Sequence, residues 1–217
     1  MQILLCAATT FEIEPTLKWI KKESLHYKID SVITGVGMSA ATYKILKSII
    51  EKKPALIIQA GVAGNLNKAF ELGKCVVIEN ENIGDLGVEE NESFKTIFDL
   101  EFENRNDFPW SNGKLKNSHQ QLLNLTALPI VNAVTVNEIS TNNKRINYYK
   151  NTLNASVETM EGAALHYVGL MENIAFLQVR SISNFIGERD KNKWQLDEAI
   201  TNVNLELQRI ILKLMTT

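Results

Sequence analysis

The sequence predicts an α/β fold, namely a single-domain three-layer α/β/α sandwich around a central mixed, mainly parallel sheet. Strand-like apolar runs alternate with helical spacings along the 217 residues, and this alternation is typical of a sheet covered by helices on both faces. A hydrophobic content of 45% supplies enough apolar surface for one large core. Since no linker, repeat or low-complexity segment breaks the pattern, we expect residues 1–217 to form one domain.

The first strand is predicted at residues 2–8, an apolar run without charges. Thr9 and Thr10 then offer helix caps, and a helical spacing of apolar residues begins at Leu17. Glu12 therefore stands in the first helical turn after a strand. A carboxylate at such a position is either a functional group or a partner for the helix dipole.

Residues 29–34 predict the second strand, which ends in the hexamer GVGMSA at 35–40 before another helical spacing. The hexamer satisfies the dinucleotide fingerprint G-x-G-x-x-A, but that fingerprint also requires an acid at the end of the next strand. The next strand, predicted at 55–60, has no acid at its tip. We therefore assign no dinucleotide or other cofactor, although the glycines let a backbone approach something small and polar.

Residues 61–66 predict a second small-residue turn at a strand end, so that two such turns flank the expected crevice. Residues 75–79 predict a further strand, and the glycines and acids of 83–90 favour a loop. From about 91 to 118 the periodicity fades and aromatic residues stand among polar ones. A segment of this kind is a lid or a partner surface, or it packs on its own domain.

Residues 128–136 predict a strand that leads into a helical spacing ending near 153. The next junction, 156–165, passes from strand-like residues into a helix that begins with small residues, and it places Glu161 at the first turn. Ligands of open α/β sheets collect outside the carboxyl ends of the strands. Glu161 is therefore either a functional carboxylate or a second partner for a helix dipole.

An apolar strand at 174–183 ends at Asn184, and an amphipathic helix at 195–214 completes the pattern. These last elements place a polar amide at another strand end. A helix cap or turn residue is the structural alternative for Asn184.

Composition excludes several classes of function. The chain carries 23 basic and 25 acidic residues, a net charge of −2, and no basic stripe, so we expect no nucleic-acid partner. The first residues have no basic n-region and no run long enough for a signal or membrane segment. We expect a cytoplasmic protein, no membrane partner and a small-molecule substrate. Cys6 and Cys75 lie in apolar runs, and we assign them no metal and no disulfide.

The strand-end motifs together resemble the nucleoside phosphorylase superfamily, and most of all its hydrolytic branch of purine nucleosidases. The resemblance covers nearly the whole chain and implies the nucleoside phosphorylase-like fold. In methylthioadenosine/S-adenosylhomocysteine nucleosidases, a Glu after the first strand activates water, a Met-Glu pair binds the ribose, and an Asp after Arg-x-Ile-Ser contacts the purine. By motif position these roles fall on Glu12, on Met160 with Glu161, and on Asn184.

The same resemblance implies two further segments of the nucleoside pocket. Val62, Ala63 and Gly64 match a segment that lines it, and Thr135 with Val136 matches the segment that packs on the base. The resemblance also makes a homo-oligomer the expected assembly.

Asn184 departs from the nucleosidase pattern, and its chemistry favours a different base. A 6-oxopurine presents two acceptors, O6 and N7, to which an amide can direct its N–H groups, whereas an Asp has only one proton to offer. The substitution predicts hypoxanthine over adenine. Three stretches resemble the futalosine hydrolases of menaquinone biosynthesis, which cleave a hypoxanthine nucleoside: residues 84–90, 159–162 and 187–190.

Three alternatives stay open at this point. A phosphorylase shares the fold but needs a cradle for phosphate, and the first turn offers Glu12 without an arginine. An adenine-directed nucleosidase is the second alternative, and a non-catalytic nucleoside-binding protein is the third.

Overall fold

Eleven strands and six α-helices make up the described part of the chain in the computed structural model, which covers residues 1–90 and 93–216. The strands are β1 (Ile3–Ala7), β2 (Ile29–Ile33), β3 (Leu56–Asn65), β4 (Cys75–Ile83), β5 (Gly87–Glu90), β6 (Ser93–Thr96), β7 (Trp110–Ser111), β8 (Lys114–Lys116), β9 (Ile130–Thr135), β10 (Val157–Thr159) and β11 (Ala175–Phe185). The helices are α1 (Thr10–Lys22), α2 (Met38–Lys52), α3 (Gln120–Leu125), α4 (Asn143–Asn147), α5 (Gly162–Met171) and α6 (Leu196–Thr216). A π turn, Tyr148–Thr152, extends α4.

The central sheet is mixed, and part of it closes on itself. Five strands form a ring in which β3 pairs with β10, β10 with β9, β9 with β4, β4 with β11, and β11 with β3. From this ring β1 and β2 extend beside β3, and β8 and β7 extend beside β4. Five pairings of the described sheet are parallel and four antiparallel.

Helices cover both faces of the sheet because successive strand residues point to opposite sides. In β1, Ile3 and Leu5 pack towards α1 and α6, whereas Leu4 and Cys6 pack towards α2 and α5. All four side chains are at most 1% exposed. This alternation produces the three layers that the sequence predicts, and the α/β fold is confirmed.

The small-residue turn predicted at 61–66 is instead part of a strand. β3 continues to Asn65 because its second half gains partners on both edges, β11 on one side and β10 on the other. Because both edges of this half of β3 are hydrogen-bonded to other strands of the ring, the chain continues as a strand past Gly61. The consequence for the site is that Val62, Ala63 and Gly64 present backbone groups from a fixed strand.

The segment predicted as an aperiodic stretch from 91 to 118 begins at Asn91 and Glu92, which lie outside the described residues. Its described part forms short strands, and Trp110 and Leu115 pack against Ala163 of α5. The segment therefore packs on its own domain, which was one of the two predicted alternatives. Cys6 and Cys75 are buried free thiols.

Candidate active site

A cleft of about 320 Å³ is lined by the residues that follow β1 and by residues from the second half of β3, the end of β10 and the end of β11. It combines residues from segments far apart in the chain, since these four strands are neighbours in the sheet. Seven of the nine predicted site residues line it: Glu12, Val62, Ala63, Gly64, Met160, Glu161 and Asn184.

Glu12 caps α1 and also faces the cleft. Its Oε2 accepts hydrogen bonds from the backbone N–H of Thr9 at 2.9 Å and from the Thr9 hydroxyl at 3.1 Å, as part of a capping box. Its Oε1 accepts a hydrogen bond from the backbone N–H of Val62 at 3.2 Å. Since a carboxylate offers about four lone pairs, Oε1 can accept one more hydrogen bond from the cleft.

Glu161 is the residue immediately before α5 and is 6% exposed. Its Oε1 accepts a hydrogen bond from the backbone N–H of Gly37 at 2.9 Å, and its backbone oxygen accepts one from Gln59 Nε2 at 3.4 Å. Burial raises the pKa of Glu161, while the charge of Arg180 and the N–H of Gly37 oppose that rise and the charge of Glu12 adds to it. Glu12 accepts from Val62 and the backbone oxygen of Glu161 accepts from Gln59, so the two residues share one end of the cleft.

Arg180 is a functional candidate that the sequence analysis treated only as part of a motif. It lies within β11, is 1% exposed, and donates a 2.6 Å hydrogen bond from Nη2 to Gln59 Oε1. A Cβ on Gly61 would collide with Glu12 Oε1 and stand 2.7 Å from Arg180 Nη1. Because Gly61 has no side chain, the Arg180 guanidinium and the Glu12 carboxylate can both occupy the space beside it. The sequence does contain a signal that could have identified Arg180, namely a positively charged residue inside an otherwise apolar strand.

Asn184 is held at the other end of the cleft by its neighbours on β11. The Ser183 hydroxyl donates to Asn184 Oδ1 at 2.9 Å, and Asn184 Nδ2 donates to the backbone oxygen of Phe185 at 3.2 Å. These contacts fix which side of the amide carries the N–H groups. The second N–H of Nδ2 is available to a ligand acceptor.

Thr135 and Val136 do not line the cleft. Both are fully buried, and Thr135 Oγ1 instead lies 3.0 Å from Thr159 Oγ1 and accepts a 2.8 Å hydrogen bond from the backbone N–H of Ala163. Thr159 reaches the cleft. Thr135 therefore lies beneath Thr159 and supports the start of α5, whereas Val136 packs in a hydrophobic cluster with Leu66 and Tyr149.

A buried carboxyl lies under this support. Glu81 is fully buried; Oε2 accepts from the Thr135 hydroxyl at 3.0 Å and Oε1 accepts from Gln178 Nε2 at 2.8 Å. Burial raises the pKa of Glu81 to about 7. A Cβ on Gly162 would collide with Glu81 Oε1, so this glycine lets α5 begin directly above the carboxyl.

The charge distribution of the cleft is uneven. Among its described lining residues, Glu12, Glu158 and Glu161 are acidic and Arg189 is basic. The guanidinium of Arg189 lies 5.7 Å from the ring of Trp194. The cleft therefore favours neutral or electron-deficient groups near its carboxylates.

Within residues 1–90 and 93–216, no cluster of three or more His, Cys, Asp or Glu side chains could hold a metal ion. No helix among them is long and apolar enough to cross a membrane.

Solved structures with the same fold cover nearly the entire chain. One is a methylthioadenosine/S-adenosylhomocysteine nucleosidase mutant of Helicobacter pylori with 5′-methylthioadenosine in its active site, at 18% identity, a TM-score of 0.79 and 97% coverage of both chains. Another is the futalosine hydrolase of Helicobacter pylori, at 16% identity, a TM-score of 0.76 and the same coverage. At these identities the likeness establishes the fold.

Sequence comparison finds relatives of one kind. A futalosine hydrolase of Thermus thermophilus is 25% identical over 181 residues, which are 82% of this chain and 79% of the relative. A futalosine hydrolase of Streptomyces coelicolor is 23% identical over 145 residues, 67% of this chain and 60% of the relative. The family model of the phosphorylase superfamily matches residues 27–216, and the chain belongs to that superfamily.

Proposed function

We propose that this chain is a purine nucleosidase that hydrolyses the N-glycosidic bond of futalosine, releasing hypoxanthine and dehypoxanthine futalosine, in menaquinone biosynthesis. The observation that carries the proposal is the arrangement of the cleft: two carboxylates, Glu12 and Glu161, at one end and the amide of Asn184 at the other. The sequence relatives that are futalosine hydrolases support the choice of substrate.

The reaction requires a group that activates water at the anomeric carbon. Glu12 is suited to this role because its Oε1 faces the cleft with a lone pair to spare while Oε2 is fixed by Thr9. A positioned general base contributes roughly 10²- to 10⁴-fold in rate. Arg180, beside Glu12 across Gly61, supplies a buried positive charge that favours the ionised form of Glu161.

The ribose would lie against Glu161 and Met160. Gly37 occupies one lone pair of Glu161 Oε1, so the remaining lone pairs can accept from the 2′- and 3′-hydroxyls. Charge-assisted hydrogen bonds of this kind contribute about 1.5 to 3 kcal/mol each. The thioether of Met160, which lines the cleft, would pack on the sugar face.

The leaving base accumulates negative charge as the bond breaks, and Asn184 would stabilise it. Its free N–H would donate to the N7 and O6 edge, in the manner of an oxyanion-hole donor. Val62, Ala63 and Gly64 would form the strand surface against which the nucleoside lies. We keep Thr135 and Val136 in the proposal only as buried residues outside the lining of the cleft, where Thr135 supports Thr159.

Hydrolysis is favoured over phosphorolysis by the charges that line the cleft. Among the described residues, three acidic side chains and the guanidinium of Arg189, placed over Trp194, line the cleft, and the buried guanidinium of Arg180 already donates to Gln59. This set of charges is a poor site for a phosphate dianion. Water carries no charge and is not repelled by Glu12.

An adenine-directed nucleosidase acting on methylthioadenosine, S-adenosylhomocysteine or aminodeoxyfutalosine is the second candidate. The structures of such nucleosidases with methylthioadenosine or adenine have the same fold. Asn184 in place of an Asp argues against it, because Ser183 already donates to the amide oxygen and the group left for the base is an N–H donor, which suits the acceptors of a 6-oxopurine.

The deciding experiment measures free base released from futalosine, inosine and methylthioadenosine by chromatography, in buffers with and without phosphate. We expect hypoxanthine from futalosine with the highest kcat/KM and no dependence on phosphate. Preferred release of adenine would favour the second candidate, and phosphate-dependent turnover would identify a phosphorylase. If no base is released but futalosine binds, the chain is a nucleoside-binding protein.

A homo-oligomer and a cytoplasmic location stay predictions. The side chains of Phe102 and Phe108 are 74% and 70% exposed, which is unusual for large aromatic groups and supports a contact between copies. Light scattering of the purified protein tests the first prediction directly.

A further inference from the structure

Glu158 is a buried carboxyl in the cleft that no step of the proposed reaction uses. It is 5% exposed and lines the cleft, and its Oε2 is buried without a hydrogen-bond partner among the described residues. Burial and the nearby charge of Asp85 raise the pKa of Glu158 to about 7. A buried carboxylate without donors is costly, so a ligand that supplies a donor would relieve that cost.

The strand register places Glu158 beside Asn184. Glu158 is the partner of Gly64 in the antiparallel β3/β10 pair, and Asn184 is the partner of Gly64 in the parallel β3/β11 pair. The β3/β11 register shifts just before Asn184, but a Cβ on Gly64 would lie 3.7 Å from Asn184 Nδ2, so the amide is on the side of the sheet to which a side chain at 64 would point. Two strand spacings separate the Cα atoms of Glu158 and Asn184 by about 10 Å. Gly64 has no side chain, and Ile186 fills the space above it. The carboxyl and the amide thus flank an apolar floor.

The other end of the cleft already has its own carboxylates. Glu12 accepts from the backbone of Val62, and the backbone oxygen of Glu161 accepts from Gln59, so both lie near Gly61 along β3. Three residues of strand separate Gly61 from Gly64, a length of about 10 Å. The charge of Glu12 affects the pKa of Glu161, whereas the pKa of Glu158 responds to Asp85.

We propose that Glu158 is a specificity-determining residue that accepts a hydrogen bond from N1–H of a 6-oxopurine, while the remaining N–H of Asn184 donates to the O6 and N7 edge. This inference rests on the proposed function, since it concerns the base of that substrate. The edge of a 6-oxopurine presents the acceptors N7 and O6 and then the donor N1–H. The amide of Asn184 matches the two acceptors, and the carboxylate of Glu158 matches the donor. A 6-aminopurine has a lone pair at N1, which would face the carboxylate oxygen unpaired.

The test removes either the carboxylate of Glu158, by mutation, or the N1 hydrogen of the base, by methylation. Wild type, Glu158→Gln and Glu158→Ala are compared on inosine and on 1-methylinosine, in which a methyl group replaces the N1 hydrogen. We expect methylation to lower kcat/KM about ten- to a hundredfold in wild type and to have little effect in Glu158→Ala, which has room for the methyl group. In Glu158→Gln, the preference for inosine over adenosine should fall at least tenfold, because an amide can also donate to N1.

The matched control is Glu138→Gln, an exposed glutamate outside the lining of the cleft. It should retain the wild-type discrimination in both comparisons. Thermal unfolding of each variant separates a folding defect from a binding defect, and the isosteric Glu158→Gln keeps the test usable if the alanine variant unfolds.

The outcomes separate this inference from the proposed function. If wild type releases hypoxanthine but the Glu158 variants keep its discrimination, the inference is wrong and the function stands. A loss confined to ribosides and absent from 2′-deoxyribosides would place Glu158 at the sugar and also overturn it. If wild type releases no base, calorimetric binding of hypoxanthine and 1-methylhypoxanthine to the same variants still decides the role of Glu158.

Discussion

The backbone N–H of Gly37 donates a 2.9 Å hydrogen bond to Oε1 of Glu161, which joins two turns 124 residues apart in the chain. Gly37 has φ 93° and ψ 157°, a conformation essentially restricted to glycine. The hexamer 35–40 that satisfies a dinucleotide fingerprint therefore uses its second glycine to orient a carboxylate of this cleft.

Gly37→Ala should strain that turn and move the N–H away from Glu161. We expect a loss of roughly 1 to 3 kcal/mol in the free energy of unfolding and at least a tenfold loss in kcat. Urea denaturation and steady-state kinetics measure the two effects.

The control for backbone strain alone is Gly113→Ala. Gly113 also has a positive φ, 72°, and lies outside the lining of the cleft. It should lose stability and keep its kcat. Full kcat in Gly37→Ala would mean that the contact with Glu161 has no role in turnover.

Glu12→Gln should lower turnover at least a hundredfold while leaving the affinity for hypoxanthine nearly intact. The amide keeps the shape of the side chain and can still accept from Thr9 through its oxygen, but it cannot take a proton from water. Glu14→Gln on the same helix is the control, since Glu14 is exposed and pairs with Lys18. A Glu12 variant within tenfold of the parent would leave Glu12 with only its capping role.

Glu161→Gln should damage the hydrolysis of ribosides far more than that of 2′-deoxyribosides. The glutamine oxygen can retain the hydrogen bond from Gly37, but the second oxygen is replaced by a donor that cannot accept from the diol. Comparing kcat/KM for the two sugars in both proteins isolates this contact. Equal losses on both sugars would remove Glu161 from the ribose site.

Much of the fold was predictable because apolar periodicity is a local property of the sequence. The predicted helix at 195–214 corresponds to Leu196–Thr216, and the strand at 174–183 corresponds to Ala175–Phe185. The closed ring was not predictable, because it depends on β11 pairing with both β3 and β4. A strand with partners on each edge carries no distinct local pattern.

The site residues also divide into those with a local sequence signal and those that depend on tertiary packing. Glu12, Glu161 and Asn184 were found at strand ends, and all three line the cleft. Glu81 and Glu158 were missed because each is an acid inside or beside an apolar run, where only tertiary burial distinguishes it from an exposed residue. Thr135 was assigned to the pocket by motif alone, and its depth beneath Thr159 depends on packing that the motif does not encode.

Burial of Glu81 predicts a stability that decreases as pH rises. Its folded pKa, raised to about 7, lies above the value of an exposed carboxyl, so the folded state binds more protons than the unfolded state between about pH 4.5 and 7. The free energy of unfolding should fall with rising pH across this window, by about 1.4 kcal/mol per pH unit from this group. Glu158, raised to about 7 as well, adds a similar slope.

Glu81→Gln should remove about half of that slope. Glutamine resembles the protonated acid, so the variant should match wild type near pH 4 and exceed its stability by about 3 kcal/mol at pH 8. Urea denaturation at a series of pH values provides the measurement. A variant that is less stable than wild type at pH 8 would show that Glu81 is held ionised by its contacts with Thr135 and Gln178.

Asn184→Asp should reverse the preference for the base. In wild type, Ser183 donates to Oδ1 and thereby directs Nδ2 and its N–H groups away from the hydroxyl. In the variant, the second oxygen carries a lone pair or a single proton, which suits the N7 acceptor and exocyclic donor of a 6-aminopurine. We expect lower activity on inosine and higher relative activity on adenosine.

The size of the reversal follows from the cost of an unpaired polar group. A mismatched buried donor or acceptor costs roughly 1 to 3 kcal/mol, which corresponds to about a ten- to hundredfold change in the ratio of specificity constants. The measurement is kcat/KM for inosine and adenosine in wild type and variant, with Asn202→Asp as a control outside the cleft, where the amide donates to Gly73. If wild type prefers adenosine, or if the ratio is the same in Asn184→Asp, then Asn184 does not contact the base edge. The preference for hypoxanthine would then depend on Glu158 or on neither residue. Comparing Glu158→Gln with Asn184→Asp distinguishes these two possibilities.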